Sequence, residues 1–304
     1  MKVLVTGGSG FLGNHVCREL SARGHEVFAP SHDALDLLAK RNIHWYLTLH
    51  PVDAVIHLAA MYGGIGANRE RPAEFFYNNL IMGVELLHAA YKTDIQKFVA
   101  VGTVCAYPKY TPVPFKEEDL WNGYPEETNA PYGLAKKMLL VQSQAYRAQY
   151  GFNSIYLLPV NLYGPHDNFN PDSSHVIPVI IRKISEAIRN EDEQVVLWGS
   201  GRASREFLFV EDCARGICDA LEKYNGKDPI NLGTGKHLTI RELAELIGRL
   251  MGYRGNFVWD ENQPDGQPTR CLDISRALRH LGWVPQVGLE EGLKRTIGWW
   301  RGNG

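Results

Sequence analysis

The sequence predicts an α/β protein: a doubly wound parallel sheet with a smaller, interleaved C-terminal α/β domain. Three observations carry this reading. A short β-branched run, Lys2–Thr6, breaks into the turn Gly7-Gly8-Ser9-Gly10-Phe11-Leu12-Gly13 and then into a helical pattern. Strand-like and helix-like stretches alternate as far as residue 159, and alternation at that spacing builds parallel βαβ units. The 304 residues are enough for one large domain or two.

Taken in order, residues 11–23 form the first expected helix, with Gly24 where a C-terminal cap belongs. Strands follow at 26–29 and 54–58, the second leading into the small residues Ala59 and Ala60. A helix over about 73–91 leads to a strand at 97–101, and a helix over about 132–150 to a strand at 154–159. This is the Rossmann rhythm, in which ligands sit beyond the carboxyl ends of the strands. After about Asn161 the rhythm changes. Residues 163–175 are rich in Gly, Pro, Asn, Asp and Ser and read as a long functional loop. Later elements are expected to be smaller. Thr239 and Glu242 form a capping-box signature before Leu243, Leu246, Ile247 and Leu250, and residues 289–300 read as a last amphipathic helix. The expected division is a dinucleotide-binding domain over 1–165, to which the chain returns around 205–235. Residues 166–204 and 236–304 would form a substrate domain.

Composition narrows the function classes. Hydrophobic residues make up 44% and charged residues 22%, ordinary for a globular protein. Thirty-two Lys and Arg against 34 Asp and Glu give a net charge of −2, which argues against a dedicated nucleic-acid binder. The five cysteines are odd in number and contain no CxxC pair. Neither a disulfide framework nor a metal site is expected, and reduced thiols in a cytoplasm are the simplest reading. The apolar run at the N-terminus is too short for a signal-peptide core. No run reaches the roughly 18 apolar residues of a membrane span.

Two constellations carry chemistry. The glycine turn follows a strand and opens a helix, the context in which its backbone approaches a pyrophosphate and the helix N-terminus faces the phosphates. An NAD site usually places an acid at the end of the second strand. Here Pro30, Ser31 and His32 occupy that place, so NADP(H) is the expected cofactor, with Ser31 and His32 near its 2′-phosphate. The second constellation is Tyr132-Gly133-Leu134-Ala135-Lys136, a phenol and an ammonium one helical turn apart. A lysine cation there would draw the phenol pKa down towards a useful range. Thr103, just past the strand at 97–101, offers a hydroxyl to a substrate carbonyl.

With these residues the chain resembles the extended short-chain dehydrogenase/reductases, and longer blocks narrow the likeness. His57-Leu58-Ala59-Ala60, Gly63-Gly64-Ile65-Gly66-Ala67-Asn68 and Gly102-Thr103-Val104-Cys105-Ala106-Tyr107-Pro108-Lys109 resemble the GDP-L-fucose synthases. So do Asn161-Leu162-Tyr163-Gly164-Pro165-His166-Asp167-Asn168, Ser174-His175-Val176-Ile177-Pro178, Trp198-Gly199-Ser200-Gly201, Arg205-Glu206-Phe207-Leu208 and Pro264-Asp265-Gly266.

The resemblance implies epimerisation of GDP-4-keto-6-deoxy-mannose at C3 and C5, then reduction at C4 by NADPH. It makes Tyr132 the reductive acid, Lys136 its partner and Thr103 the counterpart of a family serine. Cys105 and His175 match the pair that moves protons in epimerisation. Their reference pKa values, about 8.5 and 6.5, let a thiol and an imidazole exchange acid and base roles near neutrality. Besides the glycine turn, Leu58, Ala59, Ala60, Tyr132, Lys136, Pro159, Asn161, Leu162 and His175 are expected at the cofactor. Asn161, Lys183, Trp198, Arg205, Asp265 and Arg270 are expected at the GDP-sugar. Lys183 stands where the family commonly has an arginine, and no arginine stands at Ser9 or His32. The resemblance also implies a homodimer. The helices at 73–91 and 132–150 carry Leu80, Ile81, Met82, Leu86, Leu87, Met138, Leu139 and Leu140, more apolar residues than one sheet face needs. Two rival readings follow: a C4 reductase, with or without epimerisation, of another GDP-4-keto sugar such as a colitose or deoxyheptose precursor, and a non-catalytic dinucleotide sensor. Retention of Thr103, Tyr132 and Lys136 disfavours the sensor.

Overall fold

The computed structural model describes every residue except Gly64, Asp172, Pro264 and Gly304. Gly64 and Pro264, which belong to two of the motifs above, thus lie outside the described residues. The first half runs β1 (Lys2–Thr6), α1 (Phe11–Ala22), β2 (Glu26–Phe28), α2 (Lys40–Leu49), β3 (Ala54–His57), α3 (Ile65–Glu70), α4 (Pro72–Lys92), β4 (Lys97–Val101), α5 (Ala130–Tyr150) and β5 (Ser154–Pro159). Helix α1 ends one residue before the expected boundary: Arg23 is its C-cap, and Gly24 follows at φ +80°. Helix α5 begins earlier than expected, at Ala130, because Pro131 fits the first turn, where a missing N–H costs nothing. Helix α2 was not expected; its N-cap, Ala39, has no capping side chain to announce it.

The second half runs β6 (Asn161–Tyr163), α6 (Val176–Asn190), β7 (Gln194–Trp198), β8 (Ser204–Arg205), β9 (Phe207–Phe209), α7 (Val210–Lys223), β10 (Ile230–Leu232), β11 (Leu238–Thr239), α8 (Ile240–Met251), β12 (Asn256–Asp260), α9 (Ser275–Leu281) and α10 (Leu289–Asn303). The expectation of smaller late elements fails: α6 has 15 residues and α7 has 14. The stripe Ile177, Ile180, Ile181, Ile184 and Ala187 buries one face of α6, as helical spacing requires. The Thr239–Glu242 capping box opens α8, with the Glu242 N–H donating to Thr239 Oγ1 at 3.1 Å and the Thr239 N–H to Glu242 Oε2 at 2.7 Å.

Six strands form one sheet in the order β10-β5-β4-β3-β1-β2, and every pairing in it is parallel. The chain steps outward in opposite directions from β1 and from β3. The switch point therefore lies between them, where such sheets open a crevice for a ligand. Helices α1 and α7 pack together, as do α4 and α5, and the sheet lies in one apolar core with Leu4, Val55, Val99 and Leu157 fully buried. A second core joins α6, β7, α8 and α10 through Ile180, Leu197, Leu243, Ile247 and Leu293. Strand β9 serves both. Leu208 faces the first core, Phe207 and Phe209 the second, the alternation a strand imposes.

Candidate active site

A cavity of about 950 Å³ runs from the glycine turn, past the carboxyl ends of β1, β3, β4 and β5, to α6 and the end of β7. Its first wall is the turn itself. A Cβ on Gly13 would lie 2.0 Å from the Gly7 carbonyl oxygen, so α1 can start this close to the turn only with glycine there. No side chain caps α1 and its first turn holds no acid, which leaves its N–H groups and positive end for an anion. This cradle fits a dinucleotide pyrophosphate. Gly7, Ser9, Gly10, Phe11, Leu12, Gly13, Leu58, Ala59, Ala60, Pro159, Asn161 and Leu162 all line the cavity. Two expected cofactor residues do not. Gly8 packs inward, where a Cβ would meet the Ala29 side chain at 2.6 Å. Ser31 is exposed, its carbonyl capping the next turn by accepting from the Ala34 and Leu35 N–H groups. Pro30 and His32 line the wall in that region, and His32 lies 3.7 Å from Asp36.

The proton-transfer residues meet in the middle. Past β4 the chain makes a short 3₁₀ turn, Val104–Ala106, capped by Thr103, whose Oγ1 accepts the Cys105 N–H at 3.2 Å. Helix α5 presses on this turn at Gly133, where a Cβ would fall 2.3 Å from the Cys105 carbonyl oxygen. Thr103, Cys105, Tyr132, Lys136 and His175 thus share the cavity wall. The Tyr132 phenol is held above its ordinary range by burial, then by the neighbouring Cys105, with the Thr103 hydroxyl opposing. Lys136 is not among the groups that shift it, so the downward pull expected from the lysine spacing is not seen. The phenol keeps its proton and is poised as a donor. Burial also brings the Lys136 ammonium down to about 8. His175 stands at the N-cap position of α6 with no capping bond from its side chain, and its ring centre lies 6.1 Å from that of Tyr62. Burial, and then the charge of Arg270, lowers its pKa.

The far end is cationic. Arg205 donates to the carbonyls of Ser204 at 2.8 Å and Asp265 at 2.9 Å. Burial, and then the Arg270 charge, works against its protonation, a crowding that a diphosphate would relieve. Lys183 reaches the Val196 carbonyl at 2.7 Å, and Trp198 is largely exposed at the cavity edge. Asp265 lines the cavity, but both carboxylate oxygens are bound to Ser200, each at 2.7 Å. It shapes the turn after β7. Asn161 donates to the Glu206 carbonyl at 2.9 Å.

Sequence reasoning missed Tyr62, Asp167, Ser174 and Gln267, all on the wall. Asp167 is buried with one carboxylate oxygen unpartnered, as is the Ser174 hydroxyl. Burial pushes the Asp167 carboxyl up to about 7. Asp167 and Ser174 sit inside quoted motifs, but nothing in their spacing marks them as cavity groups. Among the described residues no cluster of His, Cys, Asp or Glu could hold a metal ion, and all five cysteines are free thiols. No helix of the described residues is long and apolar enough to cross a membrane.

A parallel sheet with a glycine-cradled switch point and a tyrosine–lysine pair beyond β4 defines a dinucleotide-dependent enzyme of the short-chain dehydrogenase kind. The model of the NAD dependent epimerase/dehydratase family matches residues 3–233, and the chain belongs to that family. It is 39% identical over 312 residues to the GDP-L-fucose synthase of Escherichia coli (strain K12), covering 99% of this chain and 97% of the relative. Among solved structures, a GDP-L-fucose synthetase from Naegleria fowleri bound to NADP superposes with a TM-score of 0.89 at 27% identity, covering 99% of this chain and 94% of the other. A GDP-6-OMe-4-keto-L-xylo-heptose reductase from C. jejuni superposes with a TM-score of 0.93 at 25% identity, covering 100% and 98%.

Proposed function

We propose that this enzyme epimerises GDP-4-keto-6-deoxy-mannose at C3 and C5 and reduces it at C4 with NADPH, forming GDP-L-fucose. The observation that carries the reading is that Cys105 and His175 line the same cavity as Thr103, Tyr132 and Lys136. A pure C4 reductase needs only the last three. The glycine cradle and the N-terminus of α1 would hold the cofactor pyrophosphate, and Tyr132 and Lys136 would face its nicotinamide half. When bound, NADPH supplies the hydride for C4. Tyr132 donates the proton that the C4 oxygen then requires, and Thr103 orients that oxygen. The C4 ketone acidifies the hydrogens on both neighbouring carbons. One of Cys105 and His175 removes such a hydrogen as a proton, and the other returns a proton to the opposite face. Arg205, Arg270 and Lys183 face the diphosphate. Lys183 meets it as a point charge rather than as a fork, and Trp198 offers its ring to the base.

Preference for NADPH over NADH is expected to be modest, since no acid repels a 2′-phosphate at Pro30–His32 and no arginine clamps it there. A clear preference for NADH in kcat/KM would contradict this. The assembly is proposed to be a cytoplasmic homodimer through α4 and α5. Leu86, Leu87, Leu139 and Leu140 are buried within one chain, but Phe76, Tyr77 and Val141 remain exposed on these helices. Sedimentation at micromolar concentration tests the dimer, and a monomer mass would reject it. The reaction is tested by NADPH consumption with GDP-4-keto-6-deoxy-mannose and identification of the product as GDP-L-fucose. No consumption with any GDP-4-keto sugar would return the chain to a binding role. Consumption only with a 3-deoxy or heptose substrate would make it a reductase like the C. jejuni neighbour.

A further inference from the structure

Tyr62 lines the cavity but is neither an acid, a base nor a cofactor ligand in the proposed reaction. Its two neighbours in the chain are tied down by buried amides. Asn79 of α4 accepts the Met61 N–H at 3.0 Å and donates to the Met61 carbonyl at 2.9 Å. It also donates to the Phe75 carbonyl at 2.7 Å. Asn68 of α3 donates to the Gly63 carbonyl at 2.9 Å. Both asparagines are buried, and together they fix the backbone on either side of one side chain. That side chain bonds to nothing: among the described residues the Tyr62 phenol makes no hydrogen bond, and 44% of the residue's surface stays exposed. A tyrosine hydroxyl ordinarily finds a partner when its ring packs against other groups. A free one on a rigid mount is a donor held for something the chain does not supply.

The surroundings of the ring say what that is. Its centre lies 6.1 Å from that of His175, with the two rings tilted by 31°, and Tyr62 is near enough to Tyr132 to raise the latter's phenol. Asp167 stands on the same wall. Burial, and then the Asp167 charge, hold the proton on Tyr62, which leaves it a neutral donor. We propose that Tyr62 is a substrate-binding residue that hydrogen-bonds the C3 hydroxyl of the GDP-4-keto sugar, and so selects sugars carrying that hydroxyl over 3-deoxy ones. The proposal rests on the function given above, which puts C4 of the sugar at Tyr132. The sugar of GDP-4-keto-6-deoxy-mannose carries hydroxyls at C2 and C3 alone. Of the two carbons flanking C4, C5 bears a methyl group and C3 a hydroxyl. The ketone oxygen is taken by Tyr132 and Thr103. A donor beside both Tyr132 and His175 therefore meets the C3 hydroxyl before any other polar group of the ring. A site that hydrogen-bonds a substrate hydroxyl rejects the analogue lacking it more strongly than an apolar contact can.

The test compares kcat/KM for NADPH oxidation with GDP-4-keto-6-deoxy-mannose and with GDP-4-keto-3,6-dideoxy-mannose, in the wild type and in Tyr62→Phe. The substitution removes the hydroxyl and keeps the ring against His175. NADPH titration checks that the variant is folded, because the cofactor cradle lies at the glycine turn. The wild type should favour the hydroxylated sugar. In Tyr62→Phe, kcat/KM for that sugar is expected to fall about tenfold, while the value for the 3-deoxy sugar hardly changes, so the preference shrinks by the same factor. An equal fall with both sugars would overturn the proposal, because the phenol would then serve a group that both share. No fall with either sugar would overturn it too. Both of these outcomes leave the proposed function standing as long as the wild type favours the hydroxylated sugar. A wild type that oxidises NADPH only with the 3-deoxy sugar, or with neither, would overturn the proposed function and the role of Tyr62 with it.

Discussion

Tyr132 and Cys105 stand beside the same Thr103 hydroxyl, yet their substitutions should separate two half-reactions. Tyr132→Phe removes the proton that the C4 alkoxide needs. Turnover should fall by about 10²–10⁴-fold while NADPH binds nearly as before; near-normal reduction would remove Tyr132 from the mechanism. Cys105→Ser replaces a thiol with a far weaker acid. It should stop exchange of the C3 and C5 hydrogens much more than it slows hydride transfer to a substrate already in the right configuration. His175→Gln should give a related defect. Asp167 supplies a prediction about stability. Its buried carboxyl is raised to about 7, against roughly 3.9 in an unfolded chain. Between those values the folded state holds a proton that the unfolded state has lost, so stability falls as pH rises through the window and levels off above it. Asp167→Asn escapes that loss. Its advantage in urea unfolding should grow from near zero at about pH 4 to about 2–4 kcal/mol at pH 8. A gap that does not widen with pH would contradict the burial of a free carboxyl.

At the scale of elements, the contact between α5 and the Cys105 turn sets the spacing of the site. Helix propensity alone would make Gly133→Ala stabilising by about 1 kcal/mol. The contact reverses the sign, because the new Cβ would meet the Cys105 carbonyl oxygen at 2.3 Å. A loss of about 1–3 kcal/mol is expected, with at least tenfold slower turnover as Tyr132 is levered from Cys105. A gain in thermal stability with full activity would refute the close approach. The same elements show what could be read in advance. The β1–turn–α1 unit, the later strands up to β5 and the Tyr132–Lys136 pair were legible because glycine punctuation, β-branched runs and helical spacing are local signals. Helix α2 lacked a cap, and strands β8 and β11 are two residues each, too short for any periodicity. The stripe of α6 was present in the sequence, but Pro178 and the loop before it masked the helix start. Gln267, on the cavity wall, donates to the carbonyls of Pro108 and Lys109, 159 and 158 positions away in the chain, and no spacing rule reaches that far. Gly8 and Ser31 were assigned to the cofactor by motif position. Gly8 packs against Ala29, and Ser31 is exposed between Pro30 and His32, which line the cavity.

At the scale of the molecule, one sheet brings the cofactor cradle to its switch point, and the second core supplies the wall that carries His175, Lys183 and Trp198. On the proposed reading, the cavity they enclose would gather hydride delivery, proton donation and inversion around a single sugar ring, with the diphosphate at the cationic end. Fold alone does not choose between an epimerase-reductase and a reductase, so the proposed reading rests on this convergence of residues. It is tested most directly by incubating the enzyme with GDP-4-keto-6-deoxy-mannose and NADPH in deuterated water and reading the product by NMR. The account expects GDP-L-fucose with deuterium at both C3 and C5 and the C4 hydrogen delivered from the cofactor. A C4-reduced product that keeps the mannose configuration and protium at C3 and C5 would contradict it.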